Sequence, residues 1–189
     1  SFNESKFVNE WGLTGKFVVQ YSGNMGLWHD LNSLVQTARL LQDEEDIQFV
    51  FIGAGVRKNA AMQLAIDLGA KNIIWKDSVP LSDLSESLAA CHVSLISLQK
   101  GLTGVAVPCK LYGILASGRA IVAQVPVDSE IALTVTETRC GSIVEPGNAL
   151  RLAQELVHLK NNPADVASMA ENAFFAYQNK YTVSSAVEI

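Results

Sequence analysis

The side chain best suited to binding a charged ligand is a lysine within residues 107–121. This stretch predicts a loop, a short helix and the start of a strand. Pro108 disfavours helix at the residue before it and favours helical geometry after it. Lys110 then falls in the first helical turn, and Gly118 suits the left-handed residue that ends a helix. A cation beside the free amides of a helix N-terminus is a candidate phosphate site. The alternative is a solvated lysine on an ordinary helix.

A first glycine loop supports the phosphate interpretation. It is Gly23-Asn24-Met25-Gly26, directly after an apolar stretch that predicts a strand. Its two glycines tolerate positive φ, so the loop can bring backbone amides close to a phosphate or a sugar. The alternative is a plain turn between a strand and a helix.

A second glycine loop, Gly53-Ala54-Gly55, is followed by Arg57 and Lys58. These two cations suit a diphosphate, or equally the solvated start of a helix. The spacing resembles the opening of a dinucleotide fingerprint, but Lys58 stands at the third glycine position and the loop follows the second strand. A nicotinamide or flavin site is therefore disfavoured.

Several function classes are excluded or disfavoured by what the chain lacks. Neither loop ends in Gly-Lys-Ser/Thr, which disfavours ATP hydrolysis. The three histidines show no metal-ligand spacing, so we expect no metal. The net charge is −5 with no basic run, which disfavours nucleic-acid binding. The three scattered cysteines suit a reducing compartment, and no apolar run is long enough to span a membrane.

Six apolar stretches alternate with helical patterns along the chain. The predicted strands are residues 16–21, 47–52, 72–75, 93–98, 120–123 and 142–145. This alternation predicts an α/β fold, a Rossmann-like doubly wound parallel sheet of six strands with helices on both faces. Ligands of such sheets bind at the carboxyl ends of the strands, where both glycine loops and Lys110 are expected.

The chain has 189 residues, 49% of them hydrophobic and 17% charged, as expected for one packed domain. It begins without Met, in a polar segment covering residues 1–10. We therefore expect residues 1–189 to form a single domain taken from a longer protein.

Five stretches, in this order and spacing, resemble a known family. They are residues 21–26, 49–55, 79–93, 107–118 and 141–147. Together they are similar to the C-terminal, nucleotide-sugar-binding half of GT-B glycosyltransferases, most closely family 4, also called group 1. The resemblance covers roughly residues 7–180.

The resemblance implies a binding site for a nucleotide-diphosphate sugar. The diphosphate would meet the first glycine loop, a basic side chain and a helix N-terminus, and residues 79–80 would border the nucleobase. The donor-binding residues implied are Gly23, Asn24, Met25, Gly26, Gly53, Gly55, Arg57, Val79, Pro80, Pro108, Lys110 and Leu111. Lys110 is also the expected catalytic residue, stabilising charge on the departing diphosphate.

The chain departs from the family pattern at two places. Gly113 and Val105 stand where the family carries two glutamates, one contacting the sugar and the other the ribose hydroxyls. Trp28-His29-Asp30 occupies the place of the usual basic pair. Phosphate binding is thus better supported than ribose recognition or sugar specificity.

As a whole, the resemblance implies transfer of a sugar with retention of configuration, without metal or cofactor. The acceptor site and the usual catalytic histidine would lie on an N-terminal domain outside this chain, leaving the chain inactive alone. The implied acceptor is a lipid-linked or polysaccharide sugar, and the implied location is the cytoplasm or the inner face of the membrane. Two alternatives stay open: a sugar-nucleotide epimerase of similar shape, and a non-catalytic domain that lost the glutamates.

Overall fold

The six strands form one parallel sheet, as predicted, and their order is that of a doubly wound fold. The computed structural model describes residues 2–101 and 110–180. The strands are β1 (Phe17–Ser22), β2 (Ile47–Ile52), β3 (Ile73–Lys76), β4 (Val93–Ser97), β5 (Ala120–Gln124) and β6 (Gly141–Val144). They lie in the order β3-β2-β1-β4-β5-β6, and every neighbouring pair is parallel. The predicted fold class is confirmed.

Eight α-helices cover the two faces within the described part of the chain. They are α1 (Lys6–Glu10), α2 (Leu31–Leu40), α3 (Lys58–Leu68), α4 (Leu84–Ala89), α5 (Lys110–Ala116), α6 (Glu130–Thr138), α7 (Ala149–Asn161) and α8 (Pro163–Lys180). Helices α2, α3 and α7 pack on one face, and α1, α4, α5, α6 and α8 on the other. Every residue of β4 and β5 is buried, as expected for parallel strands covered on both sides.

Local signals in the sequence set several helix boundaries. The Asp30 side chain accepts a hydrogen bond from the Ser33 amide (3.1 Å) and caps α2. Asn148 caps α7 in the same way, and Pro163 is the first residue of α8. Gly118, after α5, has φ +59°, the left-handed geometry predicted for it.

The N-terminal segment differs from its description as polar. Residues 6–10 form α1. Two apolar side chains of this helix and two from the residues just after it are buried in one cluster with residues of β1 and β2 and with the residues that follow α4. The four side chains are Phe7, Val8, Trp11 and Leu13. Five residues are too few for helical periodicity to be visible, so the amphipathic pattern was missed.

The topology leaves a crevice at the carboxyl ends of β1 and β4. The chain leaves β1 toward β2 and leaves β4 toward β5, so these neighbouring strands send their connections in opposite directions. This is the switch point at which ligands of open α/β sheets bind. None of the helices built from residues 2–101 and 110–180 has both the length and the apolar character needed to cross a bilayer.

Candidate functional site

Two glycine loops at the carboxyl edge are joined by backbone hydrogen bonds that continue the β1–β2 ladder. The Gly23 amide donates to the carbonyl of Ile52 (2.9 Å), and the Met25 amide donates to that of Ala54 (2.8 Å). The Arg57 amide then donates to the Met25 carbonyl (2.9 Å). The first loop is therefore held in place by the second.

Glycine is required in the second loop because the first loop lies directly against it. At Gly53 the backbone has φ +138°, and a Cβ would collide with the carbonyl oxygen of Gly23. At Gly55, with φ +149°, a Cβ would lie 2.5 Å from the Met25 carbonyl oxygen. Both positions combine a glycine-only backbone with close approach of another backbone.

Lys110 lies across the first glycine loop. Its Nζ donates to the Tyr21 hydroxyl (2.6 Å) and to the Asn24 carbonyl (3.2 Å). Nζ also lies 4.1 Å from the centroid of the Tyr21 ring, within the range of a cation–π contact. The Tyr21 hydroxyl in turn donates to the Asn24 carbonyl (2.7 Å). Strand, loop and helix thus meet at one ammonium group.

The Lys110 ammonium has only uncharged partners. Within residues 2–101 and 110–180 it forms no ion pair, and burial lowers its pKa from 10.5 to about 7. Burial thus disfavours the charged form, and an approaching anion favours it. The arrangement is that of a cation lacking its counter-ion, which is what a phosphate-binding site requires.

His29 connects the first loop to the end of β4. Its Nδ1 lies 2.9 Å from the carbonyl of Ser97, and its ring meets the edge of the Tyr21 ring at 6.0 Å. Burial and the nearby charge of Lys110 lower the pKa of His29. Because a carbonyl only accepts, the neutral imidazole carries its proton on Nδ1 and leaves Nε2 as an acceptor.

The structure brings only some of the predicted site residues together. Gly23, Asn24 and Lys110 are in contact, and Gly53 and Gly55 support them from behind. Two further predicted residues lie in the same elements but are almost completely buried, backbone included, so they support the site and do not face a ligand. These are Met25 and Leu111.

Val79 and Pro80 lie elsewhere on the same edge. They line a groove of about 330 Å³ at the end of β3, together with Trp11 and Lys76. Strand β3 is separated from β1 by β2, so this groove is distinct from the Lys110 cluster. Pro108 lies outside the described residues.

The two cations after the second loop have different surroundings. Lys58 Nζ donates to the carbonyls of Gly53 (2.8 Å) and Lys76 (2.9 Å) and pairs with Asp77 (2.7 Å). Its charge is thus used to hold the ends of β2 and β3. Arg57 is half-buried, and its Nε has no hydrogen-bond partner among the described residues.

Tyr21 was not among the predicted site residues. Its ring is fully buried, as its position in a strand predicts, and only the contact with Lys110 reveals the role of its hydroxyl. The available signal was a phenol two residues before a glycine loop. Trp28 is the other unforeseen feature, because 54% of its surface is exposed beside that loop.

Comparison with known proteins decides the family. The model of the family described as glycosyl transferases group 1 matches residues 16–162. The chain belongs to this family. The probable glycosyltransferase WbjE of Pseudomonas aeruginosa is 29% identical over 153 residues, which cover 80% of the chain and 38% of WbjE. The chain thus spans well under half of this curated relative.

Solved structures show the same fold. HepE of Anabaena, crystallised with UDP-glucose, superimposes with a TM-score of 0.80 at 16% identity, covering 96% of the chain and 49% of HepE. The C-terminal domain of LpcC, a group 1 family protein of Francisella tularensis, gives a TM-score of 0.78 at 17% identity, with 97% and 95% covered. The fold is that of a C-terminal GT-B domain.

Replacing Gly53 with alanine is expected to disrupt the loop packing. The Gly53→Ala variant meets both backbone strain and the Gly23 carbonyl, and we expect the free energy of unfolding to fall by about 2–4 kcal/mol. The matched control is Gly69→Ala, where φ is +69° and no atom lies near the new Cβ, with an expected cost of about 1 kcal/mol. Urea unfolding measures both. Equal costs would contradict the close approach.

Lys110→Met is expected to stabilise the fold at low pH. Below pH 7 both folded and unfolded chains carry this charge, so the folded state bears the full cost of its burial. Between pH 7 and 10.5 the unfolded chain binds the extra proton, so wild-type stability rises with pH relative to the variant. The advantage of Lys110→Met in urea unfolding should therefore shrink from pH 6 to pH 10.

The control is Lys71→Met, which removes an exposed lysine. It should differ from wild type by the same amount at every pH in this range. A difference between Lys110→Met and wild type that does not change with pH would show that the Lys110 ammonium is not disfavoured by burial.

Proposed function

We propose that this chain is the donor-binding domain of an enzyme that transfers a sugar from a nucleoside-diphosphate sugar to an acceptor. One observation carries the proposal: an ammonium group that has no carboxylate partner among residues 2–101 and 110–180 and is held over a glycine loop at the switch point of the sheet. The family supports a glycosyltransferase, and the similar HepE was crystallised with UDP-glucose.

The proposed role of this site in the reaction is to stabilise the nucleoside diphosphate as it leaves the sugar. The bond from the sugar's anomeric carbon to the diphosphate oxygen breaks, and negative charge collects on the diphosphate. The Lys110 ammonium is placed to stabilise that charge, and so are the amides of Asn24 and Gly26, which donate to no backbone carbonyl among the described residues. Lys110 is a cation already in position, so we propose that neither metal nor cofactor is used. We also propose that configuration is retained, as the resemblance to the family implies.

The rest of the reaction belongs to parts of the protein beyond this chain. We propose that a preceding domain supplies the acceptor site, that the isolated chain is inactive, and that a lipid-linked or polysaccharide sugar accepts the transferred group. We propose that the full-length protein acts in the cytoplasm or at the inner face of the membrane, where such an acceptor would be found.

One observation favours a second candidate, a non-catalytic nucleotide-binding domain. Gly113, on α5, has no side chain to offer to a ribose, at the position where the resemblance implies a glutamate. A domain of this kind would bind a nucleotide through its phosphates without orienting the sugar for transfer.

Calorimetric titration with UDP, GDP and their sugars tests the proposed site. We expect one nucleoside diphosphate to bind, and Lys110→Ala to weaken its binding about tenfold or more, since a charge-assisted hydrogen bond contributes roughly 1.5–3 kcal/mol. The Lys71→Ala variant loses the same charge elsewhere and should bind normally. If neither the chain nor the full-length protein binds any of them, the proposal fails.

Restoring a carboxylate at position 113 tests the missing ribose contact. A Cβ at Gly113 would lie 3.5 Å from Leu88 Cδ1, an ordinary contact, so a longer side chain can be added. We expect Gly113→Glu to tighten nucleoside-diphosphate binding about tenfold, as a charge-assisted hydrogen bond to the ribose is gained.

The control Gly113→Ala adds helix propensity alone and should leave affinity unchanged. The gain from Gly113→Glu should disappear with a 2′,3′-dideoxy nucleotide. A gain that persists with that ligand would place the new carboxylate away from the ribose.

A further inference from the structure

A cavity of about 630 Å³ lies at the edge of the sheet opposite the glycine loops. It is lined by the residues that begin β1 and immediately precede β4 and β5, namely Phe17, His92 and Arg119, and by the start of α8. The five residues of β4 separate it from the Lys110 edge by about 16 Å at the rise of a parallel strand. The inference drawn from it does not depend on the proposed function.

Arg119 supplies this cavity with an incompletely satisfied guanidinium. Its Nη1 donates to the carbonyl of Cys91 (3.2 Å), whereas its buried Nε has no hydrogen-bond partner among the described residues. No carboxylate of residues 2–101 or 110–180 forms an ion pair with it. Leaving a buried charged donor unpaired is costly, so an anion that reaches it gains binding energy.

His92 adds a second donor on the same wall. Its Nδ1 accepts a hydrogen bond from the Val18 amide (3.0 Å), so the neutral ring carries its proton on Nε2. Burial and the charge of Arg119 lower its pKa to about 4, which keeps it neutral near pH 7. Contacts with the rings of Phe2 (4.2 Å) and Phe17 (5.3 Å) fix its orientation.

The other charged groups leave the cavity positive. Lys160 pairs with Glu44 (2.6 Å) and with Asp46 (3.0 Å), the one acidic residue on the lining. Lys16 donates to the backbone carbonyl of Glu45, not to a carboxylate. The lining therefore carries three cations, Lys16, Lys160 and Arg119, against the single carboxylate of Asp46, and Arg119 forms no ion pair within the described part of the chain.

The remaining wall is apolar. It is formed by the first turns of α8, with Val166, Ala167 and Ala170 facing the cavity. A ligand that fits this lining has an anionic end for Arg119 and a flat or aliphatic body for the helix.

We propose that this cavity is a second ligand site, which binds a small organic phosphate or carboxylate. Its anionic group is held by the Arg119 guanidinium and the His92 Nε2–H, and its apolar part lies against α8. Phosphate and carboxylate share the recognition chemistry here, because both accept paired hydrogen bonds from a guanidinium.

Calorimetric titration with phenyl phosphate and with benzoate tests the site and separates the two anions. The protein carries Lys110→Met throughout, so that the glycine-loop site does not contribute. At least one of the two compounds should bind, and phenol, which lacks the charge, should not. Arg119→Gln should weaken binding about tenfold or more through loss of the charge, and the control Lys71→Gln should leave it unchanged. Equal affinity in Arg119→Gln would overturn the proposal, as would no binding of either compound.

An amide chemical-shift experiment keeps the test decisive if Arg119→Gln does not fold. Adding phenyl phosphate or benzoate to the Lys110→Met chain should shift the amide signals of Val93, Arg119 and Ala120, at the starts of β4 and β5. Shifts confined to residues 23–26 would instead place the compound at the glycine-loop edge and refute the second site.

Discussion

The candidate site depends on the close packing of two glycine loops at the end of β1 and β2. Because residue 53 has no side chain, the Gly23 carbonyl lies directly against it, and the bond from the Arg57 amide to the Met25 carbonyl closes the same contact. That packing fixes the Asn24 carbonyl, which accepts from both the Tyr21 hydroxyl and Lys110. The position of the ammonium is thus set by the backbone carbonyl of Asn24 together with the Tyr21 hydroxyl.

The cations of this domain fall into two groups with different physical roles. Lys58 and Lys160 pair with carboxylates, and Lys58 also donates to backbone carbonyls at the ends of β2 and β3, so the charge of each lysine stabilises the fold. Lys110 and Arg119 are partly buried without a carboxylate among the described residues, so their burial costs stability, and in the two proposals a bound anion offsets that cost. Lys110 and Arg119 lie at opposite edges of the sheet, and the burial of each makes the fold less stable than it could be.

Much of the architecture was predictable from the sequence because parallel strands buried on both faces are continuous apolar runs. The caps Asp30 and Asn148 were predictable because capping is a local interaction. Helix α1 was not, since five residues show no periodicity. The Lys110 cluster was only partly predictable: its loops follow from glycine spacing, but the hydroxyl of Tyr21 belongs to a residue whose ring is core. The Arg119 cavity was invisible, because it is assembled from the starts of strands far apart in sequence.

The absence of a side chain at Gly113 changes what this site can recognise. A phosphate bound by Lys110 and by backbone amides is common to every nucleoside diphosphate, so these contacts provide affinity without distinguishing one base or sugar from another. A site discriminates strongly between ligands when the wrong ligand would leave buried polar groups of the site without hydrogen-bond partners. Within the described residues, the groove lined by Val79 and Pro80 lies two strands from β1, and its lining combines apolar side chains with charged ones, among them Lys6, Lys76 and Asp83. Under the proposed function, the Lys110 contact supplies affinity for the phosphates, and selectivity for the base and the sugar has to come from other contacts, in this groove or in the remainder of the protein.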